Sequence, residues 1–150
     1  CGIAEYSYPA GYYDLVVSNL ALHYLADLDD IYRKVFSTLR PGGVFLFNIE
    51  HPVFTAGVRE DWVRDAEGRP VCWPVDNYYY PGERTTLFLG QEVKKQHHTL
   101  TQILMGLIRC GFVLEAVEEA MPDPSMLDLP GMADEMRRPM MLLVKARKPV

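Results

Sequence analysis

The sequence has no long apolar run. Its uninterrupted hydrophobic stretches fall well short of the roughly 18 to 20 residues that span a bilayer, and no basic-then-apolar leader opens it. No membrane partner is therefore expected. Cysteine is scarce: Cys1, Cys72 and Cys110 are odd in number and far apart. That pattern argues against a disulfide framework or a zinc ribbon and suits the reducing cytoplasm. Clustered positive charge is also missing. The 15 Lys and Arg residues face 20 Asp and Glu, for a net charge of −5. The densest basic groups, Lys94-Lys95 and Arg137-Arg138, are too short to form a phosphate-binding stripe, so no nucleic-acid partner is expected. Nor does any G-x-G-x-x-G word, the glycine loop of dinucleotide-binding sheets, occur in the chain.

What is present is enough for one domain. The 150 residues are 49% hydrophobic and 23% charged, an ordinary globular composition. Residues 1–50 read as a strand–helix–strand unit. Tyr13 to Asn19 is a short Val-containing run, expected to be a strand buried on both faces. Asp27 caps a helix whose apolar stripe is Leu28, Ile31, Tyr32, Val35, Phe36 and Leu39. Pro41-Gly42-Gly43 stops it, and Val44 to Asn48 follows as a second strand, parallel to the first. Residues 51–96 change character, with Trp62, Trp73 and Tyr78-Tyr79-Tyr80 among Gly and Pro breaks. The spacing predicts a hairpin of Val75–Tyr80 with Thr85–Val93 across Pro81-Gly82-Glu83. Residues 97–150 return to regular order. Thr99 and Gln102 form a capping box for a helix with apolar residues Leu100, Ile103, Leu104, Leu107 and Ile108, ended by Gly111. Phe112–Val117 and Pro139–Ala146 read as terminal strands, and the methionines between them as gap-filling packing.

The words at the junctions resemble the class I S-adenosylmethionine-dependent methyltransferases. Tyr13 to Tyr24 (YDLVVSNLALHY) is similar to the family's fourth strand and following loop. Leu39-Arg40-Pro41-Gly42-Gly43 resembles its turn into the fifth strand, and Leu107 to Phe112 its last helix end. The resemblance implies an α/β, Rossmann-like half-sheet of the family's strands 4, 5, 7 and 6, the last strand antiparallel, with an aromatic insertion over the site. It also implies that strands 1 to 3, the glycine loop and the ribose-binding carboxylate lie upstream of Cys1, consistent with a chain opening on Cys-Gly-Ile. On that reading the N-terminal cofactor-binding half is absent, and these residues alone are expected to be inactive. The unpaired edge of the fourth strand invites association, as a homodimer or with another segment.

The implied cofactor is S-adenosylmethionine, with S-adenosylhomocysteine as product, and the implied activity is in-line methyl transfer to a small-molecule substrate. Ligands in such sheets lie beyond the carboxyl ends of the parallel strands. Ser18, Asn19 and Leu20 are therefore expected at the cofactor's methionine end, and Ile3 and Glu5 beside the adenine. His51, at the end of the second strand, and His23 are the candidates for acid–base or orienting work. Trp73, Tyr78, Tyr80 and His98 are candidate substrate-binding residues, within or bordering a lid of Phe54 to Gly90. No metal is expected, because the adjacent His97 and His98 have no Cys or carboxylate at ligand spacing. The competing reading is a non-catalytic nucleotide- or ligand-binding module of the same Rossmann-like fold.

Overall fold

The computed structural model describes residues 1–57 and 60–150. Its main body is a four-stranded sheet in the order β1-β2-β8-β7. Strand β1 (Tyr13–Asn19) runs parallel to β2 (Leu39–Glu50), with Asn19 opposite Asn48 at their carboxyl ends. Strand β8 (Met141–Arg147) is antiparallel to β2, and β7 (Val113–Ala120) is antiparallel to β8.

Two helices cover one face. Helix α1 (Leu28–Thr38) starts where Asp27 accepts a hydrogen bond from the Asp30 amide at 2.9 Å. Helix α3 (Leu100–Cys110) starts at the Thr99–Gln102 capping box and ends at Gly111, whose φ of 106° only glycine adopts without strain. The helices cross closely at Gly106, where a Cβ would lie 2.7 Å from Asp29 Oδ1 and 2.9 Å from the Tyr32 ring. Beneath them lie Phe45, Phe47 and Ile49 of β2 and Leu142, Val144 and Ala146 of β8, all inaccessible to solvent or nearly so. Burying each of the two phenylalanines contributes about 1.5–3 kcal/mol.

The opposite face is open. Leu15 and Val17 are 54% and 59% exposed, and Leu46, paired with Val17, is exposed beside them. This differs from the expected strand buried on both faces. Alternate side chains of a strand point to opposite sides, and among the described residues α1 and α3 cover one of them. Ile108 likewise departs from the expected stripe of its helix, at 46% exposed, because it lies off the face that meets α1 and the sheet.

Between β2 and α3 the chain forms a cap. Helix α2 (Pro52–Thr55) follows β2 directly, and β3 (Val63–Arg64) pairs with β4 (Pro70–Cys72). The long hairpin is β5 (Gly82–Phe88) with β6 (Gln91–His97), turning at Leu89-Gly90. The expected pairing across Pro81-Gly82-Glu83 is thus corrected: Val75–Tyr80 is not a strand. Leu89 and Gly90 both have positive φ, 49° and 79°, which is the twist a two-residue hairpin turn requires. Before β8, Met132–Glu135 forms α4. The neighbouring methionines Met121, Met126 and Met136 are 70%, 40% and 49% exposed, so they are surface residues and not the expected packing.

Candidate functional site at the carboxyl ends of the parallel strands

β1 and β2 end together, and the chain after each is shaped by that ending. The Leu20 amide donates to the Asn48 carbonyl at 2.9 Å, and the Asn48 side-chain amide donates to Asn19 Oδ1 at 3.1 Å. Holding that bond bends Leu20 into the left-handed region, at φ 53°, an unusual conformation for a side chain of this size. Ser18 is 8% exposed, and its hydroxyl has no hydrogen-bond partner among the described residues. A buried polar atom left unpartnered costs free energy and marks a place for a ligand or water.

His23 lies under this loop, in a 3-10 turn at Leu22–Tyr24, and is 3% exposed. Its Nδ1 accepts from the Glu50 amide at 3.4 Å, so Nε2 carries the proton and faces Glu50 Oε1 at 4.0 Å. Burial, with the nearby Lys95 charge, pushes the imidazole down to about 4, so it is neutral at physiological pH.

Glu50 in turn holds Lys95 of β6, with Nζ 2.6 Å from its Oε1; the same ammonium is 3.0 Å from Glu60 Oε2. All three side chains are at least nine-tenths buried, at 9%, 4% and 4% exposed for Glu50, Lys95 and Glu60. Burial alone would lower the Lys95 pKa, but its hydrogen bonds to the two carboxylates outweigh that and raise it. Burial and the Glu50 charge raise the Glu60 carboxyl. Glu60 sits in a left-handed backbone conformation, at φ 47°. The cluster ties the end of a core strand to the cap hairpin.

The neighbouring His51 points elsewhere, because successive strand residues face opposite sides. Its Nδ1 accepts from the Val53 amide at 3.0 Å. Its Nε2 is 2.8 Å from Glu119 Oε1 of β7, close enough for an ion pair but out of line for a hydrogen bond. Burial lowers its pKa, with Glu119 pulling the other way. The geometry therefore brings His23 and His51 to one strand end but gives them separate partners.

The other expected site residues are dispersed. Trp73 stacks on Phe54 at 5.0 Å, donates from its indole to the Val53 carbonyl, and has the Arg138 guanidinium 4.5 Å from its ring. Arg138 is itself paired to both oxygens of Glu135, at 2.6 and 3.0 Å. The Tyr78 hydroxyl accepts from the Leu100 amide at 3.1 Å, and its carbonyl accepts from His97 at 2.9 Å. The His98 ring donates to the Leu25 carbonyl at 2.8 Å. Tyr80 is 72% exposed. Ile3 lines a groove with Tyr6, Leu15 and Val17 on the open side of β1, and Tyr8 and Lys34 donate to the Ile3 and Ala4 carbonyls. Glu5 is exposed beside Gly2.

Lys95 and Glu60 are the site residues that pattern reading did not find. The signal for Lys95 was available, since alternation along β6 places Val93, Lys95 and His97 on one face. Glu60 carries no such signal, because it belongs to an irregular segment.

The chain is 42% identical to an S-adenosylmethionine-dependent methyltransferase from Mesorhizobium loti, with a TM-score of 0.88, covering 99% of this chain and 68% of that one. It is 46% identical to a Listeria monocytogenes protein described as the same kind of enzyme, with a TM-score of 0.93, covering 99% of this chain and 67% of that one. The chain belongs to the S-adenosylmethionine-dependent methyltransferase family. The methyltransferase-domain family profile matches residues 1–47, the part that holds β1, α1 and most of β2. A Haemophilus influenzae protein is 28% identical over 145 residues; this methyltransferase chain spans 56% of that relative's length. The sheet β1-β2-β8-β7, parallel between β1 and β2 and antiparallel on both sides of β8, is the mixed α/β sheet of a Rossmann-like methyltransferase fold.

Proposed function

We propose that this chain forms the acceptor side of a methyltransferase that moves a methyl group from S-adenosylmethionine to a small molecule. The observation that carries this reading is the loop after β1, where a buried Ser18 hydroxyl without a partner adjoins the strained Leu20 backbone. An orphaned donor–acceptor beside shaped main chain fits the amino-acid end of such a cofactor. Ser18, Asn19 and Leu20 would hold that end. S-adenosylmethionine, when bound, supplies a methyl group activated by its sulfonium charge. The chain's own share is to position the acceptor and keep water out, the main requirement of an in-line displacement.

The cap fits the part of a lid. It covers the strand ends through the Lys95 cluster and is anchored behind by Arg138 on Trp73. Residues 58 and 59 of the proposed Phe54–Gly90 lid lie outside the described residues. In this reading Trp73 shapes the lid from behind, Tyr78 and His98 dock it on α3 and on the loop before α1, and Tyr80 stands at its rim. His23, held neutral, and His51, beside Glu119, are the imidazoles available for proton handling.

Adenosine recognition would come from residues preceding β1 in the whole protein, Ile3 and Glu5 included, paired along the open edge of β1. The described residues contain no helix long and apolar enough to cross a membrane, and a cytoplasmic setting accords with the unpaired cysteines. Calorimetry with S-adenosylmethionine and S-adenosylhomocysteine tests the reading. The full-length protein should bind both, and this chain alone should bind at least about tenfold more weakly. No binding by the full-length protein would leave a non-catalytic module as the better description.

A further inference from the structure

The Glu50–Lys95–Glu60 cluster has unspent hydrogen-bond acceptors. Each carboxylate spends one oxygen on the Lys95 ammonium. Glu50 Oε2 and Glu60 Oε1 remain buried with no partner among the described residues. Thr86 is near enough to favour the Glu60 carboxylate, yet no well-formed hydrogen bond joins its hydroxyl to Oε1. Among the described residues the cations Lys95 and Arg138 are already engaged, Lys95 by two carboxylates and Arg138 by both oxygens of Glu135. Among the described residues no hydrogen bond reaches these two buried acceptors, and the formal charge of the three side chains together is −1. The rings of Phe54 and Phe88 lie 5.9 and 5.7 Å from Lys95 Nζ, giving the cluster apolar flanks.

We propose that Glu50 and Glu60 form the specificity subsite for the methyl acceptor, taking a planar nitrogen group with two N–H donors, of the amidine or amino-heterocycle kind. The inference rests on the methyltransferase reading above for what the group belongs to. An anionic acceptor would place negative charge against two buried carboxylates, where the spare donor among the described residues is the Nε2–H of the neutral His23, 4.0 Å from Glu50 Oε1. A purely apolar acceptor would leave both oxygens unsatisfied, at a cost the buried site does not recover. Lys95 acts as a positioning residue: it holds the two carboxylates on one ammonium, and so fixes the spacing of their free oxygens.

Benzamidine and benzoate, the same ring with opposite polarity, serve as probes against the full-length protein by calorimetry and by competition. Benzamidine should bind, and benzoate should neither bind nor displace it. Glu50→Gln and Glu60→Gln, close in shape to the originals, should each weaken benzamidine at least about tenfold. Glu92→Gln, on the solvent side of the same hairpin, should leave it unchanged, and S-adenosylhomocysteine affinity should be retained in every variant. Benzamidine failing to bind a protein that does bind S-adenosylhomocysteine overturns the subsite while leaving the methyltransferase reading intact. Benzoate binding in preference to benzamidine overturns it as well. If a substituted protein does not fold, the wild-type preference between the two probes still decides.

Discussion

Lys95 carries more of the structure than its place in a Lys-Lys pair suggests. Removing its charge leaves Glu50 and Glu60 buried against each other without a counter-ion. Lys95→Met should therefore cost about 3–5 kcal/mol, the usual penalty for breaking a buried pair from one side. Urea denaturation at neutral pH measures it; a loss below about 1 kcal/mol would show the carboxylates to be better solvated than their burial indicates. The histidines act through pH. His23, His51, His97 and His98 all have pKa values lowered by burial, His23 to about 4. Between the folded and ordinary values the unfolded chain binds more protons, so stability rises with pH there. The stabilisation is complete above about pH 6.5 and is lost as pH falls toward 4, with His23 alone contributing at most about 3 kcal/mol. Glu60 has a raised pKa and works the other way, losing stability as pH rises through its folded value, but it is one group against four imidazoles. The urea midpoint should fall between pH 7 and pH 5, and a flat profile would contradict the burial of these rings.

Among the elements, α1 and α3 depend on their crossing. Gly106→Ala would drive a methyl group into the fully buried Tyr32 ring and against the Asp29 carboxylate, which is exposed and can swing aside. Overpacking of this kind costs about 1–3 kcal/mol. Thr99→Ala removes one half of a two-sided cap and should cost about 1 kcal/mol. The two substitutions lie at separate points of α3, so thermal unfolding of the double variant should show nearly additive losses. The β5–β6 hairpin has a different dependence. Its attachment runs through Lys95 and through His97, whose ring bridges Thr55 at 2.7 Å and the Tyr78 carbonyl at 2.9 Å. Both contacts come from alternate residues on one strand face, so the hairpin docks as a unit.

For the whole molecule, the uncovered sheet face is the dominant feature. Leu15, Val17 and Leu46 present adjacent apolar surface beside the unpaired edge of β1. An edge strand with exposed apolar side chains is a template for association, and in β1 the one charge is Asp14, near its start and paired with Arg40. The 150-residue chain alone should self-associate in light scattering, and Val17→Lys should reduce that by placing a charge in the patch. In the full-length protein the same substitution should instead lower the melting temperature, because the proposed upstream half would bury that residue. Equal behaviour in both settings would show that nothing covers this face.

The local sequence was sufficient wherever neighbouring residues decide the outcome. Asp27, the Thr99–Gln102 box and Gly111 mark helix ends through bonds that span four residues or fewer, and the paired parallel strands follow from apolar runs flanking a helix. Family words at residues 13–24 and 39–43 identified the sheet for the same reason, since turn chemistry is written in contiguous residues. What depends on distant partners was not legible. Whether β1 is buried on both faces depends on what covers it, and the cap's register depends on where a two-residue turn with positive φ can form. The Glu50–Lys95–Glu60 cluster joins residues 35 and 45 positions apart. No spacing rule connects them. Only folding the hairpin over the end of β2 removes their water and makes three ordinary surface residue types into a buried charged site.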